Sequence, residues 1–356
     1  MTIPLAQAML CPRIRCDLDS PHRLTQSSGT TANPKTMLLN RRQFEYVVQS
    51  QILNGGYTSQ SVFLTMATFG VMGIYGRVTT CLRLGATVAL GRAVDVLQDV
   101  EVTHLWCVPI MLKNLLKELP QNWRKPKKLH IATGGGPLND ALRELARERL
   151  CMHISNGYGA NEVGRIAGMD SLGMGVVSAG VELRIVDDNF RNVPEGEVGR
   201  IVVRSQGMIN GYWCTDEHSQ TFFKDGWFIP GDIGRLAGPR RLQLLGRGDD
   251  ILNLGGIKQS AQLLEDHCID HPQVQDAGVV AIQQADGSEV LMVALVTDGA
   301  RVWSEITSEL SPGLLQRWGN LFQQLRLLQF SKIPRTSTGK VRRNELRNIL
   351  QRELTK

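Results

Sequence analysis

The sequence has few of the features that mark secreted or membrane-spanning proteins. Its cysteines number 7 in 356 residues and are widely spaced, with no Cys-x-x-Cys pair and no Cys/His cluster of zinc spacing. This usage predicts reduced, mostly buried thiols and a cytoplasmic location. No apolar run approaches the length of about 18 residues that a membrane-spanning helix needs. Residues 1–16 lack the basic and apolar regions of a signal peptide, so we expect neither a span nor a leader.

Positive charge is in small excess. Lys and Arg total 40 and Asp and Glu total 34, which gives a net charge of +6 at pH 7. So small a surplus does not predict a nucleic-acid partner, and it suits small anionic ligands. The hydrophobic fraction of 42% and the charged fraction of 21% are typical of a folded globular chain and exclude a disordered one. At about 150 residues per domain, the length predicts two domains.

Apolar and helical patterns alternate through the first half of the chain. Strands are expected at 61–66, 84–90, 103–108, 128–133 and 152–155. Helices are expected at 41–53, 71–82, 109–119 and 138–150. Strands that alternate with helices predict a mostly parallel sheet with helices on its faces. Residues 1–24 show little periodicity and are expected to be irregular.

Two further patterns follow. Short strands at 181–186, 199–204 and 242–245, joined by Gly, Pro and Asp turns, predict a β-rich subdomain. After Gly246, helices alternate with strands again, which predicts a small α+β domain. The sequence therefore predicts the α/β class, with a large parallel-sheet domain at residues 1–246 and a small C-terminal domain at residues 247–356.

The segment 27–36, Ser-Ser-Gly-Thr-Thr-Ala-Asn-Pro-Lys-Thr, concentrates hydroxyl groups and small residues around one lysine. Backbone N–H groups and hydroxyls in such a loop bind phosphate oxygens, and Lys35 adds positive charge. A surface Ser/Thr turn is the alternative. The run 29–36 nearly matches the phosphate loop of nucleoside triphosphatases, but Pro34 stands where that motif has its second glycine. The proline argues against a plain nucleoside triphosphatase.

Four more segments follow in order. Their sequences are Asn-Gly-Tyr-Gly-Ala-Asn-Glu at 156–162, Gly-Trp-Phe-Ile-Pro-Gly-Asp at 226–232, Gly-Arg-Gly-Asp-Asp at 246–250 and Pro-Arg-Thr-Ser-Thr-Gly-Lys at 334–340. With the loop 27–36, and in this order, they resemble the AMP-forming adenylating superfamily of acyl- and aryl-CoA synthetases, luciferases and peptide-synthetase adenylation domains. The resemblance runs from about residue 24 to the C-terminus. It implies an acyl-CoA synthetase-like fold with a mobile C-terminal domain.

The resemblance also implies an activity and a set of site residues. Members activate a carboxylic acid with ATP and Mg²⁺ to an acyl-adenylate, and then transfer the acyl group to coenzyme A or a carrier protein. By this resemblance Lys340 is the catalytic lysine beside the reacting phosphate, and Glu162 is a catalytic residue and the Mg²⁺ ligand. Tyr158 would stack on adenine, Asp232 would bind the ribose, and Asp249 falls at the hinge. The residues assigned to the nucleotide are Ser27, Ser28, Gly29, Thr30, Thr31, Lys35, Gly135, Tyr158, Gly159, Asn161, Asp232, Arg247 and Lys258.

Taken singly, these residues have ordinary roles. Tyr158 alone is typical of a core aromatic, Glu162 and Asp232 of solvated turn carboxylates, and Lys340 of a surface lysine. Their joint occurrence favours the functional interpretation. The chain departs from the family pattern at positions near the nucleotide and acid, which are Ala32, Thr36, Thr68, Asn161 and Pro230.

Length is a further departure, because only 26 residues precede the phosphate loop where members carry well over a hundred. A second hypothesis therefore stays open, that of a shortened and catalytically impaired relative that binds nucleotide or a partner. A shortened large domain also predicts a homodimer or a partner that covers the exposed sheet.

The acid is expected to be aliphatic or aromatic. Members that activate amino acids pair the α-amino group with an aspartate, and no Asp or Glu occurs between residues 47 and 94. A buried ammonium without a counter-charge is unfavourable. The segment 62–75 is apolar, which suits an uncharged carbon skeleton.

Overall fold

A computed structural model of the chain describes residues 17–26, 35–213, 221–248, 251–254, 257–283, 289–319, 325–335 and 341–354. The first described elements are two antiparallel strands, β1 (Pro21–Gln26) and β2 (Thr36–Asn40). Strand β1 corrects the expectation that residues 1–24 are irregular. Helix α1 (Arg41–Gly55) follows at once, because the Asn40 side chain accepts from the Gln43 backbone N–H while the Gln43 side chain accepts from the Asn40 N–H.

The parallel half of the main sheet has the predicted alternation of strands and helices. Its strands lie side by side in the order β4–β3–β5–β6–β7, each parallel to its neighbour. The strands are β3 (Val62–Thr65), β4 (Thr87–Ala89), β5 (His104–Cys107), β6 (His130–Gly134) and β7 (His153–Ala160). The helices between them are α2 (Met72–Arg83), α3 (Ala93–Asp99), α4 (Pro109–Glu118) and α5 (Asp140–Arg149).

The two faces of this half differ. Alternate residues such as Leu105, Ile131 and Ile154 are buried in a core formed with α3, α4 and α5. Because strand side chains alternate between faces, Trp106 of β5 points to the opposite side. Helix α2 packs on that side near β3, and the end of the face at β6 and β7 lines a cavity.

The β-rich part continues the same sheet, because β7 pairs antiparallel with β8. The order runs on as β7–β8–β9–β15–β14–β11–β13–β12, and β10 pairs with β11. This half comprises β8 (Gly164–Met169), β9 (Met174–Val177), β10 (Val181–Val186), β11 (Gly199–Ser205), β12 (Phe223–Lys224), β13 (Trp227–Phe228), β14 (Asp232–Leu236) and β15 (Arg241–Arg247). The result is a mixed sheet of 13 strands.

Smaller sheets follow β15. Strands β16 (Ile251–Leu254) and β17 (Ile257–Ser260) form one antiparallel pair. A sheet of 3 strands then joins β18 to β19 antiparallel and β19 to β20 parallel. The strands of this sheet are β18 (Val274–Gln283), β19 (Glu289–Thr297) and β20 (Leu325–Gln329). The helices of the same part of the chain are α6 (Ala261–Ile269), α7 (Trp303–Trp318) and α8 (Arg343–Leu354). The predicted α/β class is confirmed, while the domain boundary at 246–247 stays a prediction.

A buried ion pair links three elements of this C-terminal part. Glu265 of α6 is fully buried and binds the guanidinium of Arg343 in α8. Glu265 also accepts from the Val279 N–H in β18 at 2.8 Å, and Arg343 donates to the Val279 carbonyl at 2.7 Å. The carboxylate and the guanidinium are therefore bonded both to each other and to the backbone of β18.

We expect Glu265→Ala to lower the free energy of unfolding by about 3–5 kcal/mol, because it leaves the Arg343 charge buried and unpaired. Urea unfolding of the purified chain measures this change. The matched control is Glu305→Ala, which removes an exposed ion pair with Arg301 and is expected to cost about 1 kcal/mol or less. Equal losses in both variants would contradict the account.

A row of aromatic rings crosses the parallel sheet at the first residues of β5, β6 and β7. Tyr57 and His104 have ring centroids 4.5 Å apart, His104 and His130 are 5.6 Å apart, and His130 and His153 are 5.2 Å apart. Burial lowers the pKa of His104, and the neighbouring His130 acts in the same direction. His104 therefore protonates less readily in the folded chain than in the unfolded chain.

This row predicts a pH-dependent stability. A histidine in the unfolded chain protonates near pH 6.5, above the pKa of His104 in the fold, so protons favour unfolding. The contribution of neutral His104 to the free energy of unfolding is complete above about pH 6.5 and falls as the pH drops below that value. We expect urea midpoints to fall less between neutral and mildly acid pH in His104→Phe than in the wild type. An unchanged pH dependence in the variant would contradict this.

Candidate active site

A cavity of about 1330 Å³ lies between the parallel strands and helices α1 and α2, and it reaches the ends of β6 and β7. Residues from both halves of the sheet line it. The residues that resemblance assigns to the nucleotide or metal and that line this cavity are Lys35, Gly135, Tyr158, Gly159, Asn161, Glu162, Asp232 and Arg247. The fold therefore brings together side chains that lie far apart in the sequence.

One cluster joins Tyr158, Asp232 and Arg247. Strands β14 and β15 place Asp232 opposite Arg247, and Arg247 Nε lies 3.8 Å from Asp232 Oδ1. The Tyr158 hydroxyl donates to Asp232 Oδ2. Burial raises the pKa of Tyr158 well above its ordinary value, and the Asp232 charge and this hydrogen bond act in the same direction. Tyr158 therefore keeps its proton and orients the carboxylate.

The backbone around this cluster depends on glycine at two points. A side-chain carbon at Gly159 would lie 2.5 Å from the Gly164 carbonyl oxygen, so only glycine lets β7 and β8 approach each other here. Gly231, just before Asp232, has φ +80°, which is the left-handed region that favours glycine. The Gly231 carbonyl also accepts from the Gly248 N–H at 2.7 Å, which ties the two motifs together.

A second cluster contains Glu162, Tyr212 and Lys35. The Tyr212 hydroxyl donates a hydrogen bond to Glu162 Oε1 at 2.8 Å, and both residues are buried. Burial raises the pKa of Tyr212, and the Glu162 charge adds to this. Lys35 Nζ lies 3.2 Å from the ring centroid of Phe222. Burial lowers the pKa of Lys35, the Glu162 charge opposes that shift, and the Arg247 charge adds to it.

The two clusters give the cavity a defined chemistry at one end. Two carboxylates stand beside the cations Lys35 and Arg247, next to a buried tyrosine and a glycine-rich strand end. Such an end can hold a phosphorylated ligand, with ribose hydroxyls donating to a carboxylate and phosphates against cations. The model of the family described as AMP-binding enzyme matches residues 7–213 of the chain.

The chain belongs to the AMP-binding enzyme family.

Individual relatives agree with this membership. Triostin synthetase I of Streptomyces triostinicus is 28% identical over 95% of this chain and 67% of the relative. The 3-hydroxybenzoate–CoA ligase of Aromatoleum sp. (strain CIB) is 26% identical over 91% of this chain and 65% of the relative. The chain thus spans about two thirds of the length of these curated relatives.

Solved structures share the fold. The O-succinylbenzoate coenzyme A synthetase of Bacillus subtilis, solved with AMP, matches with a TM-score of 0.79 and 26% identity over 93% of this chain and 69% of that one. The amide bond synthetase McbA of Marinactinospora thermotolerans matches with a TM-score of 0.83 and 25% identity over 98% of this chain and 72% of that one. The resemblance read from the sequence motifs, and the acyl-CoA synthetase-like fold that it implies, are therefore confirmed.

One further residue of the predicted AMP-binding site, Lys258, is described but is not among the residues that line this cavity. Lys258 is on β17, where its backbone pairs with Asn253. The residues that lie outside the described part of the chain are Ser27, Ser28, Gly29, Thr30, Thr31, Asp249 and Lys340. The roles assigned to all these residues, within and outside the cavity, stay predictions.

Several side chains of the site carry no sequence signal. Tyr212 lies 50 residues from Glu162, and no motif joins the two. Phe222, Arg77 and Arg165 also line the cavity without belonging to any of the motifs. Only the folded chain brings these side chains to the motif residues.

None of the helices in the described residues is both long and apolar enough to cross a membrane. The cytoplasmic location and the homodimer or partner complex stay predictions.

Proposed function

We propose that this AMP-binding enzyme is an acid–thiol ligase that makes an acyl-adenylate from ATP and a carboxylic acid and then an acyl-CoA. The observation that carries the proposal is the position of the Tyr158–Asp232–Arg247 cluster and the Lys35–Glu162–Tyr212 cluster in one cavity. The relative named as a 3-hydroxybenzoate–CoA ligase and the AMP-bound structure named as a coenzyme A synthetase support the same chemistry.

The first step is adenylation. A carboxylate oxygen of the acid attacks the α-phosphorus of ATP, and the bond from that phosphorus to the pyrophosphate oxygen breaks. Asp232 would accept hydrogen bonds from the ribose hydroxyls, in the orientation that Tyr158 and Arg247 set. Arg247 and Lys35 would balance the phosphate charge, together with Lys340 from outside the described residues. Pyrophosphate leaves.

Magnesium fits the second cluster. Glu162 lines the cavity and offers hard carboxylate oxygens, and the Tyr212 hydroxyl donates a hydrogen bond to one of them. Within the described residues no group of three or more His, Cys, Asp or Glu side chains is spaced to hold a metal. Mg²⁺ commonly binds one or two carboxylates together with substrate phosphates, so a single glutamate suffices. When bound, the ion would neutralise phosphate charge.

The second step transfers the acyl group. The thiol of coenzyme A loses its proton to solvent and attacks the carbonyl carbon of the acyl-adenylate, and the bond from that carbon to the phosphate oxygen breaks. AMP leaves with that oxygen. A carrier-protein thiol would react in the same way and is the alternative acceptor.

The acid is proposed to have an aliphatic or aromatic skeleton. Trp106, Val108 and Met111 give the cavity apolar walls. Within the described residues the carboxylates that line the cavity are Glu162 and Asp232, and both lie at the nucleotide end. An amino-acid substrate would bring an ammonium group without a counter-charge, which is unfavourable.

Exchange of labelled pyrophosphate into ATP by the purified chain tests the proposal. The assay needs Mg²⁺ and a panel of aliphatic and aromatic acids, without coenzyme A. Exchange that requires an acid supports adenylation. No exchange from folded protein would favour the impaired relative that binds nucleotide or a partner. Phosphate release without any acid would indicate a nucleoside triphosphatase.

A further inference from the structure

Two half-buried arginines flank the cavity wall beyond the nucleotide end. A side-chain carbon at Gly73 would lie 3.3 Å from Arg77 Nη1 and 4.0 Å from Cζ2 of Trp106. The Trp106 indole in turn lies beside the end of β6, with Cζ2 at 3.5 Å from such a carbon on Gly134. Arg77, Trp106 and Gly134 are therefore neighbours along one wall.

The same wall continues across β7. Gly134 pairs with Gly157, and a side-chain carbon on Gly157 would lie 3.3 Å from Arg165 Nη1. Because neither glycine has a side chain, the Trp106 indole packs over Gly134 and the Arg165 guanidinium packs over Gly157, which places both on the same face of the sheet. Tyr158, the next residue, belongs to the Asp232 cluster. The wall therefore adjoins the nucleotide end directly.

Neither guanidinium has a carboxylate partner within the described residues. Arg77 donates to the Gly73 carbonyl at 2.7 Å and lies 5.1 Å from the Trp106 ring centroid. Burial lowers the pKa of Arg77, and the positive charge of Arg165 acts in the same direction. Burial also lowers the pKa of Arg165. Two half-buried cations that line one cavity without a carboxylate partner are costly, and an anionic ligand relieves that cost.

We propose that Arg77 and Arg165 bind a second carboxylate group of the acid, so that the substrate is a dicarboxylic acid. One carboxylate would reach the α-phosphate at the nucleotide end, and the other would meet the two guanidiniums. Arginine binds carboxylates through two parallel hydrogen bonds, which fixes their orientation. Trp106 would pack against the carbon skeleton between them. This inference rests on the proposed ligase function.

Pyrophosphate exchange with paired acids tests the inference. Each alkane or benzene dicarboxylic acid is compared with the monocarboxylic acid in which a methyl group replaces one carboxylate. Coenzyme A is left out, so its phosphates cannot be the anion that the arginines bind. The wild type is expected to prefer the dicarboxylic member of a pair, as the ratio of the two kcat/KM values.

Arg165→Met removes the charge and keeps most of the side-chain volume. It is expected to lower that ratio at least about 10-fold, because a hydrogen-bonded ion pair with substrate is lost. Arg165→Lys keeps the charge without the planar fork and should give an intermediate ratio. Arg200→Met is the matched control, since Arg200 is exposed and pairs with Asp188 on a different surface. If Arg165→Met fails to fold, Arg77→Met supplies the same comparison.

The outcomes separate this inference from the ligase proposal. Equal or better exchange with the monocarboxylic acids would overturn the inference while the ligase function stands. A wild-type preference that survives both Arg165→Met and Arg77→Met would overturn it as well. If no acid supports exchange, the ligase proposal fails, and calorimetric titration with the dicarboxylic acids decides the inference. Binding that weakens in Arg165→Met would support the arginine site, and no binding would overturn it.

Discussion

Replacing Asp232 by alanine is expected to lower the affinity for ATP by about 10²–10⁴-fold and to reduce pyrophosphate exchange accordingly. The carboxylate is buried, it accepts a hydrogen bond from the Tyr158 hydroxyl, and it stands beside Arg247. In the proposed complex the carboxylate also accepts hydrogen bonds from two ribose hydroxyls. A hydrogen bond to a charged group contributes about 1.5–3 kcal/mol, and two of them give the expected range.

Calorimetric titration with ATP measures this effect directly. Asp232→Asn keeps one acceptor oxygen and should fall between the wild type and the alanine variant. Asp188→Ala is the matched control, because Asp188 is an exposed aspartate that pairs with Arg200 and does not line the cavity. If folded Asp232→Ala binds ATP with wild-type affinity, Asp232 does not bind the ribose.

Lys340→Ala is expected to slow pyrophosphate exchange by about 10²–10³-fold, by comparison with the loss of one donor that stabilises developing charge in other enzymes. The predicted role of this lysine is to balance charge on the α-phosphate and the attacking carboxylate. That charge is greatest in the transition state, so the rate should fall far more than the affinity for ATP. The dissociation constant for ATP should change only a few-fold.

The separation of rate from affinity is what identifies the lysine as catalytic. Lys332→Ala, a change at an exposed lysine in the preceding loop, is the matched control and should exchange at the wild-type rate. An equal loss of rate in both variants would indicate a general change in the C-terminal part. An unchanged rate in Lys340→Ala would show that the motif resemblance at 334–340 does not carry its usual role.

The parallel half of the fold was predictable because each strand and helix has its own local period. The helix expected at 41–53 is Arg41–Gly55, and the strand expected at 128–133 is His130–Gly134. Elements without a local signal were missed. Strand β1 forms because it pairs with β2, and α3 is only 7 residues long, too short for a clear period.

The candidate site could likewise be predicted only in part from the sequence. Short motifs identified Tyr158, Glu162, Asp232 and Arg247 as candidates, because each motif keeps its residues at a fixed spacing. The contacts among them were not predictable, since Tyr158 and Asp232 lie 74 residues apart and meet only across the sheet. The guanidiniums on the cavity wall were missed for a different reason. An isolated arginine in a sequence does not reveal whether it has a carboxylate partner.

The central claim is that a carboxylate oxygen attacks the α-phosphorus of ATP. An acid labelled with oxygen-18 in its carboxylate, incubated with the chain, ATP, Mg²⁺ and coenzyme A, tests this claim by mass spectrometry of the products. We expect one labelled oxygen in AMP, because that oxygen stays on phosphorus when the thiol displaces AMP. Unlabelled AMP, or label in inorganic phosphate together with ADP, would contradict it.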